Sequence, residues 1–176
     1  MIRYGLILLS ICLVASLVLS ITYKYTQPRI EVQMIAEEKN SLVEVFPQAS
    51  DFQEKSLDDV RYYVAKKDNN ELGYVIKATN KGYGGPVTML VGFDKNGEIK
   101  GMKILSHSET PGLGAKINEV RYGETRPWFL QQFMGKSAQE IALGDIQAIT
   151  AATISSKAIV EGVKKSVAEF LTRIQQ

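Results

Sequence analysis

The residues best placed to do chemistry are the hydroxyls of Thr150-Ala151-Ala152-Thr153-Ile154-Ser155-Ser156, which open an amphipathic segment running on to Phe170. A helix starts with unpaired N–H groups and a partial positive charge. Hydroxyls and small alanines at such a start suit two tasks. They cap the N–H groups, or they line a phosphate seat that Ala151 and Ala152 are small enough to let a ligand approach. The sequence leaves both open.

A second candidate is the loop Glu109-Thr110-Pro111-Gly112-Leu113-Gly114-Ala115-Lys116. Its two glycines in three residues allow a sharp turn or close approach of a ligand. Lys116 falls in the first turn of a following helix, where a cation opposes the dipole. It is either a solvated lysine or the partner of a nearby anion. Glu109 and His107 form a candidate acid/base pair. Gly82-Tyr83-Gly84-Gly85-Pro86 is a third glycine-rich loop, and Trp128 with Phe129 either stacks on a flat ring or fills the core.

The elements that must position these residues are legible in outline. The chain has 176 residues, enough for one compact domain plus attachments. A net charge of +2 without a Lys/Arg block argues against a nucleic-acid partner. Cys12 is the sole cysteine and His107 the sole histidine. No internal disulfide, cysteine-bound iron–sulfur cluster or Cys/His zinc site can be built, so no metal site is expected and redox chemistry needs an organic cofactor. Tyr4 to Tyr23 carries no charge and is long enough to span a bilayer. Arg3 precedes it while Lys24 and Arg29 follow, which orients the span only weakly. The apolar core is too long, and its exit too bulky, for a cleaved leader.

Residues 1–27 are therefore expected to be a transmembrane anchor and 28–59 a stalk helix and linker, with Pro47 ending the helix. Residues 60–176 form the main domain. Strands are expected at Val60–Lys67, Leu72–Thr79, Val87–Phe93 and Glu98–Leu105, with turns at Asp68-Asn69-Asn70 and Asp94-Lys95-Asn96-Gly97. A short helix is expected near Ala115, a last short strand at Ile146–Ile149, and a terminal helix with Ile159, Val163, Val167, Phe170, Leu171 and Ile174 on one face. The fold class is α+β: an antiparallel sheet flanked by helices, preceded by one transmembrane helix and a stalk helix.

The segments "GYGGPVTMLVGFDKNGEIKGMKILSHSETPGLGAKI" and "ITAATISSKAIVEGV", in this order behind an anchor and a stalk ending in "VFPQA", resemble the FMN-binding domain family. The likeness is nearest to the G subunits of Rnf-type ion-translocating ferredoxin:NAD oxidoreductases and their relatives, the C subunits of the sodium-pumping NADH:quinone reductase. In that family FMN is joined through its phosphate to a threonine, by a flavin transferase that reads a Ser/Thr-Gly-Ala-Thr element. The resemblance puts that element on Thr150-Ala151-Ala152-Thr153 and the acceptor on Thr153. It makes Thr150, Ser155 and Ser156 candidate phosphate ligands. It sets Leu113 and Gly114 against the ring system, with Lys116 within reach. Glu109, Thr110, Gly84, Gly85 and Trp128 complete the candidate cofactor contacts. Ala151 stands where the family usually has glycine, and Gln147 where it usually has aspartate.

The resemblance implies a membrane-anchored electron carrier with covalent FMN, working among the other subunits of an Rnf-type complex. It implies an N-terminus in the cytoplasm and an FMN domain on the periplasmic or extracellular side. One span without an ionisable residue cannot form an ion pathway, so the isolated chain is not expected to pump ions, and as one electron-transfer subunit of a redox-driven translocase it is not expected to be catalytic alone. Two other readings are a flavin-free docking module and a stand-alone flavoprotein feeding extracellular acceptors.

Overall fold

The computed structural model describes residues 2–58, 60–68 and 70–174. Residues 1–37 and 38–176 form two compact units. The first unit is carried by helix α1, Ile2–Val45, which is long and apolar enough to cross a membrane. Its leucines and isoleucines, Leu6, Leu9 and Ile11 among them, are exposed. The hydroxyls of Ser10, Thr22 and Thr26 donate to the carbonyls of Leu6, Val18 and Thr22. Each donor is thereby satisfied within the helix, which an apolar surrounding requires. α1 runs on through Pro28, where the anchor was expected to pass into the stalk, and stops at Val45, two residues short of Pro47.

The second unit is built on a five-stranded antiparallel sheet in simple chain order. Its strands are β1 Asp51–Leu57, β2 Val60–Lys67, β3 Asn70–Lys81, β4 Pro86–Asp94 and β5 Ile99–His107. Four occupy the expected runs, while β1 lies in the stretch expected to be a linker. Residue 69 of the expected turn at Asp68-Asn69-Asn70 lies outside the described residues, as does residue 59 between β1 and β2. The Asp94–Gly97 turn forms as expected, with Asp94 Oδ1 accepting from the N–H groups of Asn96 and Glu98.

After β5 come a 3₁₀ turn at Gly114–Asn118, the short helix α2 Trp128–Gln131, a second 3₁₀ turn at Leu143–Asp145, and the long helix α3 Thr153–Ile174. The strand expected at Ile146–Ile149 does not form. Side chains satisfy its backbone instead: Gln147 N–H donates to Gln132 Oε1 at 2.7 Å and Ile149 N–H to Ser156 Oγ at 3.0 Å. Ile146 and Ile149 are nonetheless buried.

Alternation along the strands divides the buried side chains between two faces. One face carries Tyr62, Val64, Ile76, Met89, Val91 and Phe93, against which α3 lays Ile159, Val163, Val167 and Phe170. The Phe170 ring lies 5.0 Å from Tyr62, 5.3 Å from Tyr74 and 5.8 Å from Phe93, contacts worth about 0.5–1.5 kcal/mol each beyond area burial. Asn80 Nδ2 donates to the Ala158 carbonyl at 2.8 Å, fixing the start of α3 over β3.

The other face carries Tyr63, Ala65, Val75 and Leu90 under Leu42, Val45 and Phe46. Gly92 and Gly101 pair across β4 and β5, and a Cβ on either would run into Val45. Two adjacent glycines thus make the groove that takes the end of α1. Beside it, Glu38 is 6% exposed and accepts from Tyr63 Oη at 3.1 Å and Lys77 Nζ at 3.0 Å. Burial, then the charge of Glu38 and the hydrogen bond to it, pushes the Tyr63 phenol up to about 12.

Candidate functional site

The β3–β4 loop at residues 82–85, the loop after β5 at 108–113, and the turn leading into α3 meet at one end of the sheet. A cavity of about 430 Å³ opens among them. Its wall contains Glu109, Thr110, Leu113 and Gly114 from one loop, Ala151, Ala152, Thr153, Ile154 and Ser155 from the α3 turn, and Tyr83 from the β3–β4 loop. The volume falls within the range of small-molecule sites.

The turn into α3 is shaped by its alternation of small and hydroxylated residues. α3 starts at Thr153, so the residue before it is Ala152, which has no oxygen with which to cap. The nearby hydroxyls that are buried serve other bonds. Ser156 Oγ accepts from Ile149 N–H at 3.0 Å and donates to the Ala152 carbonyl at 3.1 Å, which closes the 149–156 loop. Ser155 Oγ donates to Glu109 Oε2 at 2.5 Å. The N–H groups of the first turn of α3 have no acceptor within the helix. Thr153 presents its side chain at the exposed start of that turn, on the cavity wall. Ala151 turns the chain through φ 62, a left-handed conformation that costs a residue with a Cβ about 1–2 kcal/mol.

Glu109 ties the three segments together. It is 5% exposed. One oxygen accepts from Ser155, and the other from Gly84 N–H at 3.3 Å. His107 Nδ1 accepts from the Glu109 N–H at 3.3 Å, so the imidazole touches the backbone of Glu109 and not its carboxylate. A Cβ at Gly82 or Gly114 would land on the Glu109 carboxylate, so the backbone closes directly around it.

The candidate residues separate into those on the wall and those off it. Eight of them are on it, and the remaining candidates are placed as follows. Gly84 touches the wall through its bond to Glu109, with half-buried Gly85 beside it in the same loop. Thr150 is exposed one residue before the wall begins. Ser156 is fully buried behind it. Lys116 is exposed on the 3₁₀ turn and does not line the cavity. Trp128 lies in the core: its ring meets Phe129 at 5.9 Å, Arg121 covers it at 3.8 Å, and Nε1 donates to Glu119 at 3.4 Å. It offers no face to the cavity because its partners come from its own loop. Tyr83 and Ile154 line the wall without having been singled out; both are large apolar side chains left exposed. The signal for Tyr83 was an aromatic residue flanked by glycines.

Residues 82–168 match the FMN-binding domain family, and residues 1–45 match the RnfG N-terminal region. The G subunit of the proton-translocating ferredoxin:NAD⁺ oxidoreductase complex of Clostridium ljungdahlii is 32% identical over 92% of this chain and 86% of its own length. The G subunit of the Na⁺-translocating complex of Acetobacterium woodii is 33% identical over 94% of this chain and 89% of its own. The chain belongs to the RnfG family of Rnf-complex subunits. The match spans both compact units, and the cavity falls wholly within the FMN-binding domain segment. Among solved structures, the C subunit of the Na⁺-translocating NADH-quinone reductase from Parabacteroides distasonis shares the fold. Its TM-score is 0.53 at 23% identity, covering 66% of this chain and 63% of that one. Ala151, which the sequence resemblance set against a family glycine, has the positive φ that glycine adopts freely. Gln147 is exposed and clasped through its backbone by Gln132.

Proposed function

We propose that this chain is the membrane-anchored electron-transfer subunit of an Rnf-type ion-translocating ferredoxin:NAD⁺ oxidoreductase complex, and that it carries FMN as a phosphoester on Thr153. The observation that carries the reading is the position of Thr153. It is exposed in the first turn of a 22-residue helix with no capping side chain before it, on the wall of a cavity within the segment that matches the FMN-binding domain.

The residues present fit that group. A phosphate suits the uncapped N–H groups and the positive end of α3. A flat ring suits a cavity bordered by Tyr83, Leu113 and Ile154, three exposed apolar side chains. FMN, when bound, supplies an acceptor for one or two electrons. The protein's own part is to hold it. Thr153 Oγ1 is the attachment point, Ala151 and Ala152 keep side chains clear of the phosphate, and Glu109 fixes Ser155 so that the turn keeps its shape. Positive φ at Ala151 means that its methyl does not change the course of the backbone, which favours attachment over a flavin-free docking role.

α1 supplies the anchor, with the N-terminus in the cytoplasm and the FMN domain on the periplasmic or extracellular side. The remaining subunits of the complex supply the ion pathway, and a flavin transferase matures the site. The test is ultraviolet fluorescence of the band on a denaturing gel after co-expression with a flavin transferase, beside Thr153→Ala. A wild-type band that fluoresces and a dark variant are expected. A dark wild-type band, with flavin freed into solution, refutes the covalent link. A chain that holds no flavin at all refutes the carrier role. Protease added to intact spheroplasts should cut the FMN domain; protection would reverse the orientation.

A further inference from the structure

We infer that Glu109 sets the reduction potential of the group held in the cavity, acting as an uncompensated negative charge in its wall. The inference rests on the cavity being the FMN site. Glu109 is buried yet forms no ion pair among the described residues, and both donors on its oxygens, Ser155 Oγ and Gly84 N–H, are neutral. The lysine nearest in the same loop, Lys116, is exposed and off the wall. The backbone at Gly82 and Gly114 is packed against the carboxylate, which leaves no room there for a counter-ion.

A charge in such a wall acts across the cavity with less screening than in water. A group that takes up electrons there gains negative charge, and a like charge opposes it. The carboxylate therefore lowers the potential and makes the reduced group a stronger donor. The two neutral donors weaken this effect by drawing on the same charge.

The alternative is that Glu109 only ties three loops together, and the two roles differ in sign. Glu109→Gln keeps an oxygen for Ser155 and removes the charge. Ser155→Ala keeps the charge and removes a donor. A tie predicts that both variants loosen the site and move the potential the same way. A charge predicts opposite directions.

The experiment is spectroelectrochemical titration of the full chain, co-expressed with a flavin transferase and purified in detergent, with in-gel fluorescence run on each sample. Glu109→Gln should raise the reduction equilibrium constant at least tenfold, about 30 mV for a two-electron couple. Ser155→Ala should lower it. An unmoved midpoint in Glu109→Gln, or shifts of the same sign in both variants, overturns the inference. Should Glu109→Gln fail to fold, Ser155→Ala is titrated alone, and no change or a rise in its midpoint overturns the inference. A wild-type band without fluorescence overturns the reading of the cavity itself, and the inference falls with it.

Discussion

Glu38 and Glu109 are both buried carboxylates of the second unit, and they are held in opposite ways. Glu38, under the face that receives the end of α1, meets an ammonium at 3.0 Å and a phenol at 3.1 Å. Its charge is matched, and Tyr63, which donates to it, belongs to an apolar cluster with Val45 and Phe46. Glu109, at the end of the sheet, meets only neutral donors and borders a cavity. A matched buried charge is an ordinary structural device whose net contribution is small. An unmatched one is costly, and such groups cluster at functional sites. Burial alone does not separate a functional carboxylate from a structural one; the charge of its partners does.

If that division holds, damage near Glu38 should appear in unfolding and leave the flavin chemistry alone. The largest effect is expected from Phe46→Ala, which empties a fully buried site under the sheet: a loss of about 3–5 kcal/mol in denaturant unfolding, with the in-gel fluorescence unchanged. Loss of the fluorescent band at a temperature where the variant is folded would break the comparison. Glu38→Gln should cost about 1 kcal/mol, because Lys77 is 38% exposed and turns to water when its partner goes.

Tyr63 sharpens the same point through pH. Its phenol is raised in the folded state above the 10.0 of an unfolded chain, to about 12. The stability it contributes is full below pH 10 and is lost as pH rises toward 12, since only the unfolded chain gives up the proton in that window. Unfolding free energies measured across that range should fall with pH, and Tyr63→Phe should flatten the fall. The smallest effect belongs to the other region. Ala151→Gly relieves the left-handed backbone and should stabilise by up to about 1 kcal/mol, with flavin attachment equal to or better than wild type. A destabilised Ala151→Gly would mean that the methyl has a packing role.

What could be read in advance follows from where side chains point. β2 to β5 announce themselves as runs rich in Val, Ile, Tyr and Phe, several of them buried at consecutive positions because both faces of the sheet are covered, and α3 because its apolar residues recur on one face. β1 does not, because Asp51-Phe52-Gln53-Glu54-Lys55-Ser56-Leu57 is an edge strand with only Phe52 and Leu57 partly buried. Its order comes from the backbone ladder with β2, which leaves no pattern in residue type. The hydroxyls at the start of α3 were legible as a group, but their separate duties were not. Ser155 is committed to a carboxylate 46 residues away and Ser156 to a loop N–H, which leaves Thr153 facing the cavity. Trp128 misleads for a related reason: an aromatic pair looks alike in a core and on a wall, and its burial is decided by Arg121 and Glu119 in the same loop.

The cavity is assembled from residues 82–85, 108–114 and 151–155, and its last wall belongs to the helix that follows every strand in the chain. During synthesis, the sheet can emerge and pair while that wall is still being translated. Under the proposed attachment at Thr153, an enzyme that reads the finished turn would ignore nascent and half-folded chains. The flavin would then be a stamp of completed folding.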